Sequence, residues 1–378
     1  MRVLQVVSSL NIGSGIANFI LNYYRNVDRE KVQFDFLIFF EAEKNYHEEV
    51  SRLGGRIFTI PSPSIKTFSK YDKQVKAFFN EHKNEWDCVH IHEILVQKFI
   101  IKHAKENGVK KICMHSHVTE FVLEDPSLPL FKRKLQVVIK KLRNKYLLSG
   151  FLNKTDYYLA CSREAGVALY GEKIVKGERF AVIKNAIDTQ KYIDALCERE
   201  QTRKSFKVEN KKVLINVGRL CEQKNQAFLL KVFEKLHEKD DTYALFLVGE
   251  GNDRGALEKD YSHLLQDGSL SLLGNRTDIP SLLACADVFV FPSIMEGLGI
   301  ALIEAQASGI ACVSSSAVPK ETNITKAVRY LDLSLGEEKW AEEILATPIT
   351  RYDTKADIIK SGYDVKASAL SLQEIYTK

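Results

Sequence analysis

Residues 287–309 read Asp-Val-Phe-Val-Phe-Pro-Ser-Ile-Met-Glu-Gly-Leu-Gly-Ile-Ala-Leu-Ile-Glu-Ala-Gln-Ala-Ser-Gly. The run Asp287 to Phe291 is a strand candidate, because its apolar residues are continuous rather than alternating, as in a strand buried on both faces. From Ile300 to Ala307 apolar residues recur at helical spacing, and Gly309 reads as a helix stop. Strand, glycine-bearing turn and helix in this order are parts of a parallel α/β sheet. The turn sets Glu296, Gly297, Leu298 and Gly299 at a helix N-terminus. Unpaired backbone N–H groups and the helix dipole favour an anion there, and the glycines let a phosphate approach the backbone. Glu296 would then receive hydroxyls of whatever the phosphate carries, and Glu304, two turns into the helix, a ribose or another hydroxyl pair. An acid that merely complements the dipole, with a solvated glutamate behind it, explains the same residues equally well at this point.

Outward from this stretch the same grammar repeats. Apolar runs at Val3 to Val7, Phe34 to Phe39, Arg56 to Ile60, Cys88 to Ile91, Lys111 to Met114, Tyr157 to Ala160 and Phe180 to Ile183 alternate with helical stretches. A second series follows at Val213 to Val217, Tyr243 to Val248, Leu270 to Leu273, Val288 to Phe291 and Ala311 to Ser314. The polar stretch Asp188 to Asn210 separates the series. With 378 residues and 45% hydrophobic content the chain exceeds one core and can fill two. The expectation is therefore α/β, with two doubly wound Rossmann-like domains, 1–188 and 189–357, and a helical tail over 358–378.

Seven cysteines are scattered without a Cys-x-x-Cys pair, mostly in or beside apolar runs, which suits reduced buried thiols of a cytoplasmic protein better than disulfides or zinc. Met1 runs straight into an apolar strand, and no apolar run reaches about 18 residues, so neither a signal peptide nor a membrane span is expected. The formal net charge is only +5. It is concentrated between Pro126 and Thr155, where Lys132, Arg133, Lys134, Lys140, Lys141, Arg143, Lys145 and Lys154 meet no acidic residue. Phe131, Leu135, Val138, Leu142 and Tyr146 give the same segment an apolar stripe. A basic amphipathic helix over 131–146 suits an anionic membrane surface, and it equally suits a domain helix that packs its stripe and solvates its charges. No nucleic-acid motif accompanies the patch, so no nucleic acid is expected as a partner.

Ligands of open α/β sheets bind beyond the carboxyl ends of the strands. The first strand ends in Ser8-Ser9-Leu10-Asn11-Ile12-Gly13-Ser14-Gly15-Ile16-Ala17, a glycine loop only loosely like a dinucleotide fingerprint. Two further strand ends carry His90-Ile91-His92-Glu93 and His115-Ser116-His117. Residues i and i+2 of a strand share a face, so either pair, with Glu93 or Glu120, could chelate a metal; structural or substrate-binding histidines fit the pattern better. The strand at Val213 to Val217 ends in Gly218-Arg219-Leu220-Cys221-Glu222-Gln223-Lys224-Asn225. Arg219 offers a fork of donors and Lys224 a point charge, a pairing suited to a diphosphate. Gly249-Glu250-Gly251 and Gly274-Asn275-Arg276 close two more strands. Together these groups describe a nucleoside-diphosphate pocket better than any one does alone.

With these motifs in place the chain resembles the retaining GT-B glycosyltransferases of family 4, in the branch that assembles bacterial capsule and exopolysaccharide. The resemblance runs through Asn22-Tyr23-Tyr24-Arg25, Phe34-Asp35-Phe36, His115-Ser116-His117, Ala160-Cys161-Ser162, Asn185-Ala186-Ile187-Asp188, Val217-Gly218-Arg219, Gln223-Lys224-Asn225 and Glu296 to Gln306. It implies two domains facing a central cleft, an N-terminal one for the acceptor and a C-terminal one for the nucleotide sugar, with Ile358 to Tyr376 crossing back to the first. It assigns Arg219 and Lys224 to the diphosphate, Glu296 to hydroxyls of the transferred sugar, Glu304 to the ribose, and Gly297, Leu298 and Gly299 to the phosphates. His115 is implied to lie near the reacting sugar, Asn275 and Arg276 near the base, and Gly15 in the first glycine loop. Many relatives have Gly-Gly-x-Glu in that loop, where this chain has Ser14-Gly15-Ile16-Ala17, so a contact made by that glutamate has no counterpart at Ala17.

The function implied is transfer of a hexose from a nucleotide sugar, UDP-linked by expectation, to a glycan or lipid-linked saccharide, at the inner face of the cell membrane. No Asp-x-Asp loop is evident, so no metal and no further cofactor is expected. A non-catalytic GT-B partner subunit, a GT-B nucleotide-sugar epimerase and a metal-dependent hydrolase built on the histidine pairs are the alternatives.

Overall fold

The computed structural model describes residues 1–12, 14–62, 67–94, 96–117 and 152–378. Gly13, Glu120 and the basic segment 131–146 lie outside these residues. The chain divides into two compact units, Met1–Ala186 with Val365–Lys378, and Ile187–Asp364.

The first unit is built on seven parallel strands: β1 (Arg2–Val6), β2 (Gln33–Ile38), β3 (Ile57–Thr59), β4 (Cys88–Ile91), β5 (Lys111–Ser116), β6 (Tyr157–Ala160) and β7 (Phe180–Val182). Their order is β3-β2-β1-β4-β5-β6-β7, so the winding reverses between β1 and β4. Val3 pairs with Phe34 on one side and Cys88 on the other. Val3 and Leu4 face opposite cores, and both are fully buried, which is why the run shows no polar alternation. Asp35 is also fully buried, beneath the guanidinium groups of Arg2 and Arg56 and the indole N–H of Trp86. Burial alone would raise its carboxyl; those donors outweigh burial and hold it at about 2.

The second unit carries β8 (Lys212–Val217), β9 (Tyr243–Val248), β10 (Leu270–Gly274), β11 (Val288–Phe291), β12 (Ala311–Ser315) and β13 (Val328–Leu331). All pair in parallel in the order β10-β9-β8-β11-β12-β13, reversing between β8 and β11. The edge strand β13 has no counterpart in the sequence reading. Its four residues include an outward Arg329 that pairs with Glu343, so it lacks the apolar run that marks a central strand.

The returning segment begins later than Ile358. Ile358 lies in the helix Lys355–Lys360 and is fully buried in the core of the second unit, so it belongs to that core rather than to the returning segment. The helix that joins the first unit is Val365–Thr377, which buries Val365, Ala369, Leu372 and Tyr376 against the helix Gly15–Asn26 and the strands beneath it. Among the described residues no helix is long and apolar enough to cross a membrane.

Candidate functional site

In the second unit the loops after β8 and β11 flank the point where strand order reverses, the place at which open α/β sheets bind ligands. They are fastened to each other. Ile294 N–H donates to the Gln223 carbonyl at 2.9 Å, Gln223 Nε2 to the Met295 carbonyl at 2.9 Å, and Asn225 Nδ2 to the Pro292 carbonyl at 3.1 Å. Asn225 adopts a left-handed backbone (φ +58°), which turns the chain from this loop into the helix Gln226–Lys239. Buried Gln226 braces the first loop, donating to the Arg219 carbonyl at 3.0 Å and accepting from Cys221 N–H at 3.3 Å. The β9 loop presses from the other side, where a Cβ at Gly251 would collide with the Leu220 carbonyl.

Lys224 and Glu296, placed by sequence in one pocket, meet directly: Nζ lies 2.5 Å from Oε1, with side chains 20% and 6% exposed. The ammonium also sits 5.0 Å from the centre of the Phe291 ring. Arg219 is exposed and has no ion-pair partner among the described residues. The two cations are therefore in different states, one neutralised by a carboxylate and one open.

Beyond Glu296 the chain enters the helix Ile300–Ala307 through Gly299, whose φ of +81° favours glycine, and among the described residues no side chain caps the helix. A Cβ on Gly297 would meet nothing within 4 Å among the described residues, so none of these neighbours requires glycine there. One turn further in, Glu304 accepts a hydrogen bond of 2.8 Å from the Tyr192 hydroxyl, which comes from the packed helix Thr189–Asp194. Burial pushes the Glu304 carboxyl up to about 7 against the downward pull of that hydroxyl. Burial and the neighbouring Glu304 hold the Tyr192 phenol well above its ordinary range.

Asn275 and Arg276 follow β10, two strands from β8 and thus about 10 Å away across the sheet. Arg276 is clamped by Asp278, with Nε and Nη2 at 2.8 and 2.6 Å from its two oxygens. They line the same edge of the sheet without joining the Lys224–Glu296 pair.

In the first unit, Gly15 opens the helix Gly15–Asn26 behind Ser14, whose hydroxyl accepts from Ala17 N–H at 3.5 Å; Ala17 itself is buried. At the reversal between β1 and β4, Ser8 N–H donates to Glu93 Oε1 at 3.1 Å, and burial raises the Glu93 carboxyl. The two histidine pairs come together. His90 and His115 stack at 5.3 Å, His92 and His117 lie 5.0 Å apart, and Phe19 stands edge-on to His115 at 4.9 Å. Burial holds all four imidazoles neutral: His90 and His117 fall to about 3, and His92 and His115 lie well below their usual range.

Ring nitrogens of His90, His92 and His115 lie within 4.8 Å of one another, close enough to hold a metal. Their existing bonds oppose it. His90 Nε2 faces His115 Nδ1 at 3.2 Å, and His92 Nδ1 faces His117 Nε2 at 2.7 Å. His90 Nδ1 and His92 Nε2 are taken by Tyr376 and Gln5. An ion would have to break the inner pairs, and among the described residues no carboxylate bonds to these rings to balance its charge.

Sequence reading missed Gln226, Tyr192, Gln5, Tyr376 and Ser293, whose buried hydroxyl has no partner among the described residues at the end of β11. A Gln-Asn pair beside Lys224 was visible as turn chemistry. The partners of Gln5 and Glu304 lie 371 and 112 residues away, beyond any local pattern.

The family description "Glycosyl transferases group 1" matches residues 198–328. Over 383 aligned residues the chain is 30% identical to the putative glycosyltransferase EpsF of Bacillus subtilis (strain 168), covering 99% of this chain and 96% of that one. It is 24% identical to the capsular polysaccharide biosynthesis glycosyltransferase CapH of Staphylococcus aureus, covering 100% and 98%. The crystal structure of Anabaena Alr3699/HepE in complex with UDP shares the fold, with a TM-score of 0.65 at 16% identity over 100% of this chain and 97% of that one.

Proposed function

The chain belongs to the group 1 glycosyltransferases, with the GT-B fold, and from that premise we propose that it moves a hexose from UDP to a glycan or lipid-linked saccharide in polysaccharide assembly. The observation that carries the reading is the fastened pair of loops after β8 and β11. They bring an open guanidinium, a lysine, a carboxylate and an uncapped helix start to one strand-order reversal. Arg219 and Lys224 take the diphosphate, the N–H groups from Gly297 to Gly299 support it, and Glu304 takes the ribose diol. Glu296 takes hydroxyls of the transferred sugar once Lys224 has turned to phosphate. The UDP bound to HepE and the capsular role of CapH support the donor and the pathway class.

Transfer breaks the bond between the anomeric carbon and the diphosphate oxygen and forms one to the acceptor oxygen. Positive charge grows on the sugar and negative charge on the leaving group, where the two cations and the helix N–H groups stabilise it. We assign a retaining course in which the departing phosphate oxygen takes the acceptor proton, so that no enzymic nucleophile and no metal ion is needed. His115, by family resemblance, serves the sugar, Asn275 and Arg276 the base, and Gly15 the bound nucleotide sugar. The segment 131–146 would bring the enzyme to an anionic membrane surface.

The test is transfer from a panel of UDP- and GDP-sugars, with and without chelator, in wild type and Arg219→Ala. The expected result is transfer from a UDP-hexose with the anomeric configuration kept, unaffected by chelator, and cut about 10²–10³-fold by the substitution. Near-normal turnover of Arg219→Ala would remove it from the diphosphate. Donor conversion without an acceptor would replace transfer by epimerisation.

A further inference from the structure

Four histidines of the first unit, three of them buried and His117 half-buried, lie on one continuous hydrogen-bonded line whose middle is an amide. Gln5, on β1 and 1% exposed, donates from Nε2 to the Tyr376 hydroxyl at 3.1 Å and accepts at Oε1 from His92 Nε2 at 2.9 Å. The Tyr376 oxygen lies 2.6 Å from His90 Nδ1. His90 Nε2 lies 3.2 Å from His115 Nδ1, and His92 Nδ1 lies 2.7 Å from His117 Nε2. A neutral imidazole has one donor and one acceptor nitrogen, and a carboxamide has its donor and acceptor on opposite sides.

With the Gln5 amide oriented as its two bonds have it, these constraints give the direction of every link. The amide N–H occupies one lone pair of Tyr376, whose own proton, having no other acceptor among the described residues, goes to His90 Nδ1. His90 must carry its proton on Nε2 and give it to His115 Nδ1. His115 in turn carries its proton on Nε2. On the other arm the amide oxygen takes His92 Nε2–H, so His92 Nδ1 accepts from His117 Nε2–H. One buried nitrogen of the line is left over: His115 Nε2 has no partner among the described residues. An unpaired buried N–H is costly, on the order of 1–3 kcal/mol, so a fold that keeps one holds it for a ligand atom.

We propose that Gln5, acting through Tyr376 and His90, is the positioning residue that fixes His115 as the Nε2–H tautomer, an obligate hydrogen-bond donor to an uncharged hydroxyl or ring oxygen. The inference rests on the glycosyl-transfer reading for the identity of that oxygen, which would belong to a sugar. A donor with no lone pair in its outward nitrogen cannot take the acceptor proton, so His115 serves as a fixed dipole and leaves proton removal to the phosphate. Turning the amide over would reverse every link and leave a bare lone pair, a base, in the same place. Neutrality of all four rings, enforced by burial, is what allows one amide to set the whole line. Phe19 keeps His115 in register by its edge contact, and Tyr376 arrives only because the last helix packs on this unit.

Tautomers are read from long-range ¹H–¹⁵N correlations of the full-length protein labelled in histidine, with each ring assigned by single replacement. Wild type should show His90, His92, His115 and His117 all protonated at Nε2. Tyr376→Phe cuts one arm: His90 and His115 should become tautomer mixtures while His92 and His117 stay unchanged. Gln5→Leu should loosen both arms, and serves if Tyr376→Phe folds poorly. With Tyr376→Phe, kcat should fall about fivefold, the factor that ~1 kcal/mol makes, with KM for the nucleotide sugar and UDP affinity unchanged. A purely structural tyrosine would lower thermal stability and move no tautomer. His115 protonated at Nδ1 in wild type, or unaltered at Nε2 in both variants, would overturn the proposal. The predicted tautomers without any glycosyl transfer would instead overturn the enzymic reading and leave the line standing.

Discussion

Replacing Tyr192 by Phe should shift the pH at which nucleotide sugar binds, upward and by a calculable amount. Glu304 can accept both hydroxyls of a ribose only when ionised. Its carboxyl sits at about 7, raised by burial and restrained by the 2.8 Å bond from Tyr192. Hydrogen bonds to charged groups are worth roughly 1.5–3 kcal/mol, and a tenfold change in acidity is ~1.36 kcal/mol. Because a fringe of Glu304 still reaches solvent, the low end applies, and loss of the hydroxyl should move the carboxyl to roughly 8. At pH 7 the ionised fraction then falls from about one half to about one tenth, a fivefold loss of affinity that vanishes near pH 9. Calorimetric titration of a UDP-sugar between pH 6 and 9 reads it directly, since the diphosphate diester has no proton to lose in the lower part of that range. The sign for stability is opposite. A carboxyl raised above its unfolded value of 4.5 stabilises the fold below that value and loses the contribution as pH rises through about 7, at most ~3 kcal/mol. Superimposed binding curves for wild type and Tyr192→Phe, or a variant curve moved to lower pH, would refute the reasoning.

Glu296→Gln should release Lys224 and so tighten UDP about fivefold, the effect of losing an intramolecular competitor worth ~1 kcal/mol, while transfer falls. Weaker UDP binding in that variant would show that Glu296, rather than Lys224, holds the nucleotide. Gly297→Ala meets no protein atom and should leave the melting temperature unchanged while weakening UDP; Gly299→Ala, at φ +81°, should cost ~1 kcal/mol of stability. Unaltered UDP affinity in Gly297→Ala would mean that no phosphate approaches there. Asp35 is held at about 2, so it contributes ~2 kcal/mol above pH 4 that disappears as pH falls through 2. Asp35→Asn should abolish that acid-limb dependence in urea unfolding, and a persistent limb would point to another carboxylate.

Most of the strand architecture was legible because parallel strands buried on both faces leave unbroken apolar runs such as Tyr243–Val248 and Val288–Phe291. β13 was not, being a short half-exposed edge whose Arg329 answers to Glu343 rather than to the core. The start of the last helix was misplaced for a related reason. Ile358 is apolar in either assignment, and only packing decides which unit owns it. At the site, residue types and their strand-end positions were readable, since glycines, cations and acids beyond apolar runs are local signals. Partnerships were not. That Lys224 would neutralise Glu296, that Tyr192 would restrain Glu304, and that four histidines would be tied to Gln5 all depend on contacts between distant segments. Two i, i+2 histidine pairs look the same in sequence whether they await a metal or bond to each other.

The two units share a winding, 3-2-1-4 in each sheet, yet their strand-order reversals are furnished with opposite electrostatics. In the second unit the reversal holds Arg219, Lys224 and an uncapped helix start, groups that lower the energy of an anion. In the first it holds Ser8, Glu93 and four imidazoles that burial keeps uncharged, together with a carboxyl that burial pushes toward neutrality. Such a surface gains nothing from a diphosphate and would repel it wherever Glu93 is ionised. It offers fixed dipoles, which suit hydroxyls. Burial takes charge away from histidines that have no carboxylate partner among the described residues, whereas the lysine of the second unit is paired with Glu296. The division of labour proposed between donor and acceptor would thus follow from which titratable groups each half buries in company and which it buries alone.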